Sequence, residues 1–151
     1  MIIDFRIKKE TLTPLTINNE VVEETSTYKY LGVTIDNKLD WLAHSSLTHK
    51  KTHKRLFFLR KLRAFGIDNT LISLFYHSTT ESLIRFCLTS WGGNIRVLEK
   101  TKLDRTIRKA EKISRVNLPS FDVLFIATCV KKVNKIKTDQ LHPLFSANQN
   151  I

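Results

Sequence analysis

The hydrophobic pattern of the chain changes near residue 40, and this change limits which folds it can adopt. Before that point, short runs rich in β-branched and aromatic residues, such as Leu15–Ile17, Val21-Val22 and Tyr28–Ile35, indicate strands. After it, apolar residues recur with the period of a helix. We therefore predict an α+β fold, with a small antiparallel β-sheet in residues 1–36 followed by about four packed α-helices.

Within the β part, a short strand is predicted at Ile2, Ile3 and Phe5. A tight hairpin turn is predicted at Asn18-Asn19-Glu20, because asparagine tolerates the positive φ that such turns need. Tyr28–Ile35 is predicted to be one continuous strand with both tyrosines on one face. Its alternation slips beside Gly32, which suits a bulge or a place where another backbone comes close.

Capping residues divide the rest of the chain into helices. The first is predicted from Trp41 to Phe65, with Asp40 as its cap and Gly66 as its stop. Its predicted core seam is Leu47, Phe58, Leu62 and Phe65. Because Lys51 and Lys54 lie on the same seam, the polar segment 48–55 is expected to project beyond the core or to break.

Three more helices are expected, and a frayed tail follows the last of them. The second begins after Asp68, runs over 69–91, and is central to the bundle from Leu83 onward. The third covers 97–116, and the fourth follows Pro119. Their inward residues are predicted to be Leu103, Ile107, Ala110 and Ile113 in the third helix, and Phe121, Phe125, Cys129, Val133 and Ile136 in the fourth. The chain is thus divided into a hairpin segment (1–38), a basic helical bundle (39–138) and a tail (139–151).

The positive charge is confined to the helical part. The net charge is +11, of which residues 1–40 contribute −2 and residues 41–151 contribute +13. Residues 41–66 hold seven Lys or Arg and no acid. A field of this sign favours phosphate backbones or anionic membrane surfaces, and the alternative is a solvated basic surface without a partner.

Catalytic and metal-binding motifs are missing from the sequence. It has no Asp-Asp pair for a two-metal polymerase site, no histidine is followed two residues later by aspartate, and its four glycines form no phosphate-binding motif. His49 and His53 share the zinc-compatible i, i+4 spacing, but nearby cations favour solvent or phosphate contact. For His77 and Glu81 we predict a structural hydrogen bond rather than acid–base catalysis. No cofactor and no metal are expected.

Most aromatic residues are predicted to fill the core, as are both cysteines. Cys87 and Cys129 are expected to be free, buried thiols of an intracellular protein, with nuclear and cytoplasmic locations left open. No apolar run is long enough to span a membrane, so no membrane partner is expected. The six phenylalanines assigned to the core are Phe57, Phe58, Phe65, Phe75, Phe86 and Phe125. Tyr28, Tyr30 and Trp41 are assigned to packing at its rim, with stacking on a base as the alternative.

Four segments resemble the C-terminal part of the reverse transcriptase of LINE-type, non-LTR retrotransposons. They are MIIDFR at the start, YKYLGVTID, RLFFLRKLRAFG and SWGGN. The resemblance covers nearly the whole chain, to about residue 145. It implies a post-palm region, with a primer-grip-like element at Tyr28, Tyr30 and Gly32 and thumb-like helices. The catalytic aspartates would belong to a palm-bearing portion outside this chain. The same stretch resembles the family known as the N-terminal domain of AlkB homologue 8.

Together these features predict a non-catalytic, truncated remnant that binds the phosphate backbone of RNA or DNA, as in a primer–template duplex. Two alternatives stay open. One is an AlkB homologue 8 N-terminal-type domain, whose methyltransferase and 2-oxoglutarate-dependent dioxygenase motifs are absent here. The other is a decayed open reading frame without function. The predicted phosphate contacts are Lys50, Lys51, Lys54, Arg55, Arg60, Lys61 and Arg63, followed by Arg105, Arg108, Lys109, Lys112 and Arg115.

Overall fold

The α+β class is confirmed by the computed structural model, which describes residues 1–3 and 13–138. Two separate two-stranded antiparallel sheets precede the helices. No strand is present in residues 1–3, and the rest of the predicted first strand, including Phe5, lies outside the described residues. The predicted tail from Asp139 also lies outside them.

The first hairpin has the predicted asparagine turn. It pairs β1 (Thr16–Ile17) with β2 (Glu20–Val21). Asn18 and Asn19 have φ of 51° and 64°, the conformation of a type I′ turn, whose twist matches that of the paired strands. Both strands are exposed to solvent along their length.

The predicted continuous strand over 28–35 is wrong, because a second hairpin occupies this segment. Its strands are β3 (Thr27–Tyr30) and β4 (Val33–Asp36), with Tyr30 opposite Val33. Leu31 and Gly32, with φ of 46° and 87°, form the two-residue turn. The slip in alternation therefore marks a chain reversal rather than a bulge, since both residues take the left-handed conformation.

A buried aspartate fixes the link from this hairpin to the first helix. Asp36 accepts hydrogen bonds from the backbone N–H groups of Lys38, Asp40 and Trp41 at 3.0–3.1 Å. Helix α1 then covers Leu42–Ala64. Trp41, in the left-handed region, is its cap by backbone geometry, whereas the predicted cap Asp40 contributes its side chain, which accepts the Leu42 N–H at 3.0 Å.

The end of α1 follows the prediction, but its buried face does not. Gly66, with φ of 72°, donates its N–H to Arg63, and the Ile67 N–H bonds to Leu62, which is a Schellman stop. The predicted seam is wrong: Leu62 is half-buried, whereas Leu47, Phe58 and Phe65 are exposed. The helix neither breaks nor projects at 48–55. The buried face consists instead of His44, Ser45, Thr48, Thr52, Leu56 and Leu59.

This burial of polar residues is possible because hydroxyl groups bond within the helix. Thr52 donates to the carbonyls of Thr48 and His49 at 2.9 Å, and Ser45 donates to that of Trp41 at 2.7 Å. A small polar side chain whose hydrogen bond is satisfied locally can enter a tight interface without a large desolvation cost. It also lets α1 pack closely against the third predicted helix.

The second predicted helix begins as expected but is interrupted twice. Asp68 accepts the Thr70 N–H at 2.8 Å and caps α2 (Asn69–Phe75). A π-helical segment (Tyr76–Glu81) leads into α3 (Ser82–Arg85). Phe86 is then extended and Cys87 left-handed, so the short α4 (Leu88–Trp91) starts in a new direction.

Helices α5 (Val97–Ser114) and α6 (Phe121–Thr138) complete the bundle. The inward face of α5 is confirmed, with Leu103, Ile107 and Ala110 buried and Ile113 half-buried. In α6, Phe121 is buried as predicted, Phe125 and Cys129 are half-buried, and Val133 is exposed. None of the described helices has the length and apolar character needed to cross a bilayer.

The aromatic core differs from the prediction. Its members are Tyr76, Trp91 and Phe121, and the rings of the last two lie 5.8 Å apart. Trp91 donates its indole N–H to the carbonyl of Phe86, at the break before α4. The predicted core residues Phe57, Phe58, Phe65 and Phe86 are exposed. Both cysteines are free as predicted, but Cys87 is exposed and Cys129 half-buried, because the break turns residue 87 outward.

Candidate nucleic-acid interface

The predicted phosphate-binding residues of α1 are spread around its exposed side. Five of the seven are exposed: Lys50, Lys51, Lys54, Arg60 and Lys61. The other two are half-buried and already engaged. Arg55 donates to the Thr79 carbonyl in the π-helical segment, and Arg63 donates to the side chain of Asn69. These two arginines therefore hold α1 against the next helical segment.

The α5 residues form a second exposed set. Arg105, Arg108, Lys109, Lys112 and Arg115 are all exposed. Within the described part of the chain, none of the ten exposed cations of the two sets lies within 4 Å of a carboxylate. The ion pairs that do form use other cations, namely Arg85, Arg96, Lys100 and Lys102.

The two sets approach each other at the α1–α5 interface. His49 is half-buried there, and its pKa is lowered by loss of solvent and by the nearby charges of His53, Lys102 and Lys109. Because residues three and four apart share a helix face, His53 lies one turn further along the same side of α1. Their imidazole centroids are 5.8 Å apart. This junction is the place where both helices contribute positive charge.

Lys51 lies on the opposite flank of α1, beside the second hairpin. It lines a cleft of about 200 Å³ together with Lys29, Gly32, Thr34 and His44. The backbone N–H of Thr34 donates to Nδ1 of His44 at 3.2 Å. Burial, and then the charge of Lys51, lower the pKa of His44. The first-choice cations therefore do not form one compact patch.

The predicted primer-grip-like residues all belong to this hairpin. Tyr28 and Tyr30 are 54% and 58% exposed, so neither packs into the core. Gly32 lies in the turn, and a Cβ added there would be 3.3 Å from the Phe86 ring. The hairpin therefore packs its turn against Phe86 and leaves both phenol rings open to solvent.

The predicted bond between His77 and Glu81 is present. Nδ1 of His77 donates to Glu81 at 2.7 Å, and Nε of Arg85 donates to the other carboxylate oxygen at 2.5 Å. Arg85 also donates to the hydroxyl of Thr128 in α6, at 2.9 Å. Glu81 is buried, and its carboxylate links the π-helical segment to α6 through Arg85.

Two features of the surface were missed from the sequence. Lys131, Lys132 and Lys135 of α6 line a shallow hollow with Arg85, and their i, i+1, i+4 spacing could have indicated one basic face. The exposed pair Phe57-Phe58 is the second feature. In the described residues, no group of three or more His, Cys, Asp or Glu side chains is placed to hold a metal ion.

Comparison with known proteins gives one result. Residues 41–82 match the family described as "Alkylated DNA repair protein alkB homolog 8, N-terminal". The matched segment contains α1, α2 and the π-helical segment, and it includes all seven first-choice cations. No curated protein and no solved structure matches the chain. The AlkB homologue 8 resemblance is thereby supported over this segment, while the reverse transcriptase resemblance has no support from these comparisons.

Proposed function

We propose that this protein binds nucleic acid through the phosphate backbone, without reading sequence. The observation that supports this proposal is the exposure of five cations on α1, four on α5 and Arg115 directly after α5, none paired with a described carboxylate. Unpaired surface cations leave their charge available to a polyanion, and backbone binding is driven largely by release of the polyanion's counterions.

The two helices contribute differently in this proposal. His49 of α1 lies near Lys109 of α5, and His53 and Arg60 fall on the same face of α1 by helical spacing, so these residues together would bind one stretch of backbone. Lys102 is also near His49, but it is already paired with Glu99. Lys50, Lys54 and Lys61 lie further round α1 and would meet an adjacent stretch. Arg55 and Arg63 hold α1 in place, so we assign them a supporting role rather than a phosphate contact.

We also propose that the chain is a remnant of a reverse transcriptase region that follows the palm. The motifs YKYLGVTID and RLFFLRKLRAFG support this origin. In such an enzyme the helices would grip a primer–template duplex while another portion performs the chemistry. This chain is accordingly proposed to be non-catalytic.

The salt dependence of binding tests the proposed function. With six to eight phosphates neutralised, the logarithm of the association constant should fall against the logarithm of the salt concentration with a slope of about −5 to −7. Fluorescence anisotropy with a labelled duplex measures this slope. Charge reversal of Arg60 and Lys109 together should make this slope shallower by about two. A slope near zero, or no binding at low salt, would overturn the proposal.

The family match favours a second candidate, a domain that works with an alkylation-repair or tRNA-modifying enzyme. No histidine of the chain is followed two residues later by aspartate, so this segment would not supply a dioxygenase metal site. Incubation of the chain with iron, 2-oxoglutarate, S-adenosylmethionine and alkylated oligonucleotide tests for such activity. We expect no product, and turnover above a metal-free control would favour the second candidate.

A further inference from the structure

An exposed aromatic pair lies on the outer face of α1. Phe57 and Phe58 are 54% and 55% exposed, and their ring centroids are 5.6 Å apart at an interplanar angle of 79°. Two adjacent, half-exposed phenylalanines leave much apolar surface in water. An exposed apolar patch with a polar rim often marks a binding site, and the chemistry of the rim indicates the kind of ligand.

The groups on either side of this pair are lysines. Lys54 precedes the two rings by three and four residues, and Lys61 follows them by four and three. Residues at these spacings are neighbours on a helix surface. The Nζ of Lys61 lies 5.7 Å from the centre of the Phe57 ring, within the range of a cation–π contact. Helix α1 contains no Asp or Glu to offset these charges.

This arrangement presents apolar ring faces between two cations about 10.5 Å apart along the helix axis, from the helical rise of about 1.5 Å per residue. A fitting ligand must offer flat apolar faces and negative charges in alternation. Single-stranded nucleic acid does so, because its bases are free to stack on aromatic side chains while its phosphates meet lysines. A duplex hides its base faces by pairing and stacking, so it offers only its phosphates.

We propose that Lys54, Phe57, Phe58 and Lys61 form a site for single-stranded nucleic acid, in which bases stack on the two rings and phosphates contact the two lysines. The inference rests on the proposed backbone binding and specifies its strand class. It assigns the exposed rings a binding role that a duplex could not use. An acidic, apolar polypeptide is the competing occupant of this face.

Matched phenylalanine substitutions test the site. A labelled homopyrimidine strand and a duplex of equal length are titrated by anisotropy with the full chain and with the F57L/F58L double variant, which keeps apolar bulk but removes the rings. We expect the unmodified chain to prefer the single strand, and the double variant to bind it about tenfold more weakly, the scale of losing one stacked base. Duplex affinity should change by less than about twofold.

Two further variants test whether the effect is specific to the rings at positions 57 and 58. Phe65→Leu removes an exposed phenylalanine at the end of α1 that has no lysine after it within one turn, so single-strand binding should be unchanged. The F57Y/F58Y variant keeps both rings and should retain the affinity. Circular dichroism of each variant checks that α1 is intact.

The single-strand site and the backbone binding would fail with different experimental results. If both nucleic acids bind with a steep salt dependence but equally, and F57L/F58L changes neither affinity, the single-strand site is overturned while backbone binding stands. If neither nucleic acid binds at low salt, both proposals are overturned.

Discussion

At the residue scale, His44 is a buried titratable group, and one hydrogen bond fixes the tautomer of its neutral ring. Its Nδ1 accepts the Thr34 N–H, so the proton of the neutral ring is on Nε2. Nε2 is itself buried, with no hydrogen-bond partner among the described residues, and the imidazole lies edge-on to Trp91 at 5.2 Å. Protonation of Nδ1 would break this hydrogen bond between the second hairpin and α1.

We therefore expect acid to destabilise the fold through His44. Burial lowers the pKa of His44 in the folded protein below 6.5, its ordinary value. The unfolded chain then binds the proton first, and stability that is fully present above pH 6.5 is lost as the pH falls below it. Urea midpoints measured from pH 7.5 to pH 5 should decline, by up to about 1.4 kcal/mol in unfolding free energy for each pH unit in this window.

Two glutamine variants separate His44 from the other histidines. His44→Gln retains a side-chain acceptor for Thr34 and should flatten the decline, whatever its effect on stability at pH 7.5. His53→Gln changes an exposed histidine of the same helix; because the charge of His53 helps to lower the pKa of His49, this variant should reduce the decline by much less than His44→Gln does. Parallel pH profiles for the native chain and His44→Gln would contradict this assignment.

The hydropathy of the sequence could not predict which residues of α1 are buried. The seam chosen from the sequence contains Leu47, Phe58 and Phe65, yet these face solvent while Thr48 and Thr52 are buried. A helix with apolar residues on more than one side has no unique inward face until its neighbour is known. Here the neighbour is α5, and the small hydroxyl side chains of α1 allow close packing. The regular spacing of Leu103, Ile107 and Ala110 in α5, by contrast, identified its inward face correctly.

At the element scale, the turn of the second hairpin contains a residue poorly suited to it. Leu31 is 78% exposed and has φ of 46°, a conformation that costs a non-glycine residue about 1 kcal/mol or more. Asparagine tolerates this region, and Asn-Gly is the preferred pair of a type I′ turn. The first hairpin, with Asn18-Asn19, already uses asparagine in this way.

Replacing Leu31 with asparagine should therefore stabilise the protein. We expect Leu31→Asn to raise the unfolding free energy by about 0.5–1 kcal/mol, measured by urea denaturation. Leu31→Ala removes the same exposed apolar surface but keeps the unfavourable φ, so it should give no gain. Equal stabilisation by both variants would mean that exposure of the leucine, and not its backbone, determines the effect.

The sequence predicted which elements exist better than where they break. The stop at Gly66 and the cap at Asp68 were readable because each residue has one dominant structural use at a helix end. The π-helical segment and the break at Phe86 and Cys87 had no such mark. They coincide with side-chain bonds to backbone carbonyls that the sequence pattern does not show: Arg55 donates to the Thr79 carbonyl, and the indole N–H of Trp91 donates to the Phe86 carbonyl. The hairpin at Leu31 was missed because leucine is an unusual turn residue, even though Gly32 indicated an irregularity.

At the scale of the whole molecule, an excess of positive charge acts on a small fold. The chain has 25 Lys or Arg against 14 Asp or Glu, and all of the excess lies beyond residue 40. Like charges on a compact surface repel one another, and this self-repulsion destabilises the folded state. The ion pairs in the described residues, such as Arg96–Asp40 and Lys100–Asp122, involve only a few of these cations. Repulsion between surface cations should therefore outweigh the attraction within the surface ion pairs.

This balance predicts that sodium chloride will stabilise the protein. Between low salt and about 0.15 M the Debye length shortens to about 8 Å, which screens repulsion between cations on neighbouring helices. We expect the melting temperature to rise, by about 2–4 °C for each kcal/mol of repulsion removed in a chain of this size. Differential scanning calorimetry across a salt series measures the change. Lys131→Glu with Lys135→Glu lowers the net charge on α6 and should reduce the rise.

A polyanion should stabilise the chain for a different reason, which makes the two effects separable. Nucleic acid that binds only the folded state raises the melting temperature in proportion to the logarithm of its concentration above the dissociation constant. Salt weakens that binding, so this gain should be largest at low salt and should vanish where screening has already stabilised the free protein. A melting temperature that falls steadily with salt in the absence of polyanion would instead show that attractive ion pairs dominate the surface.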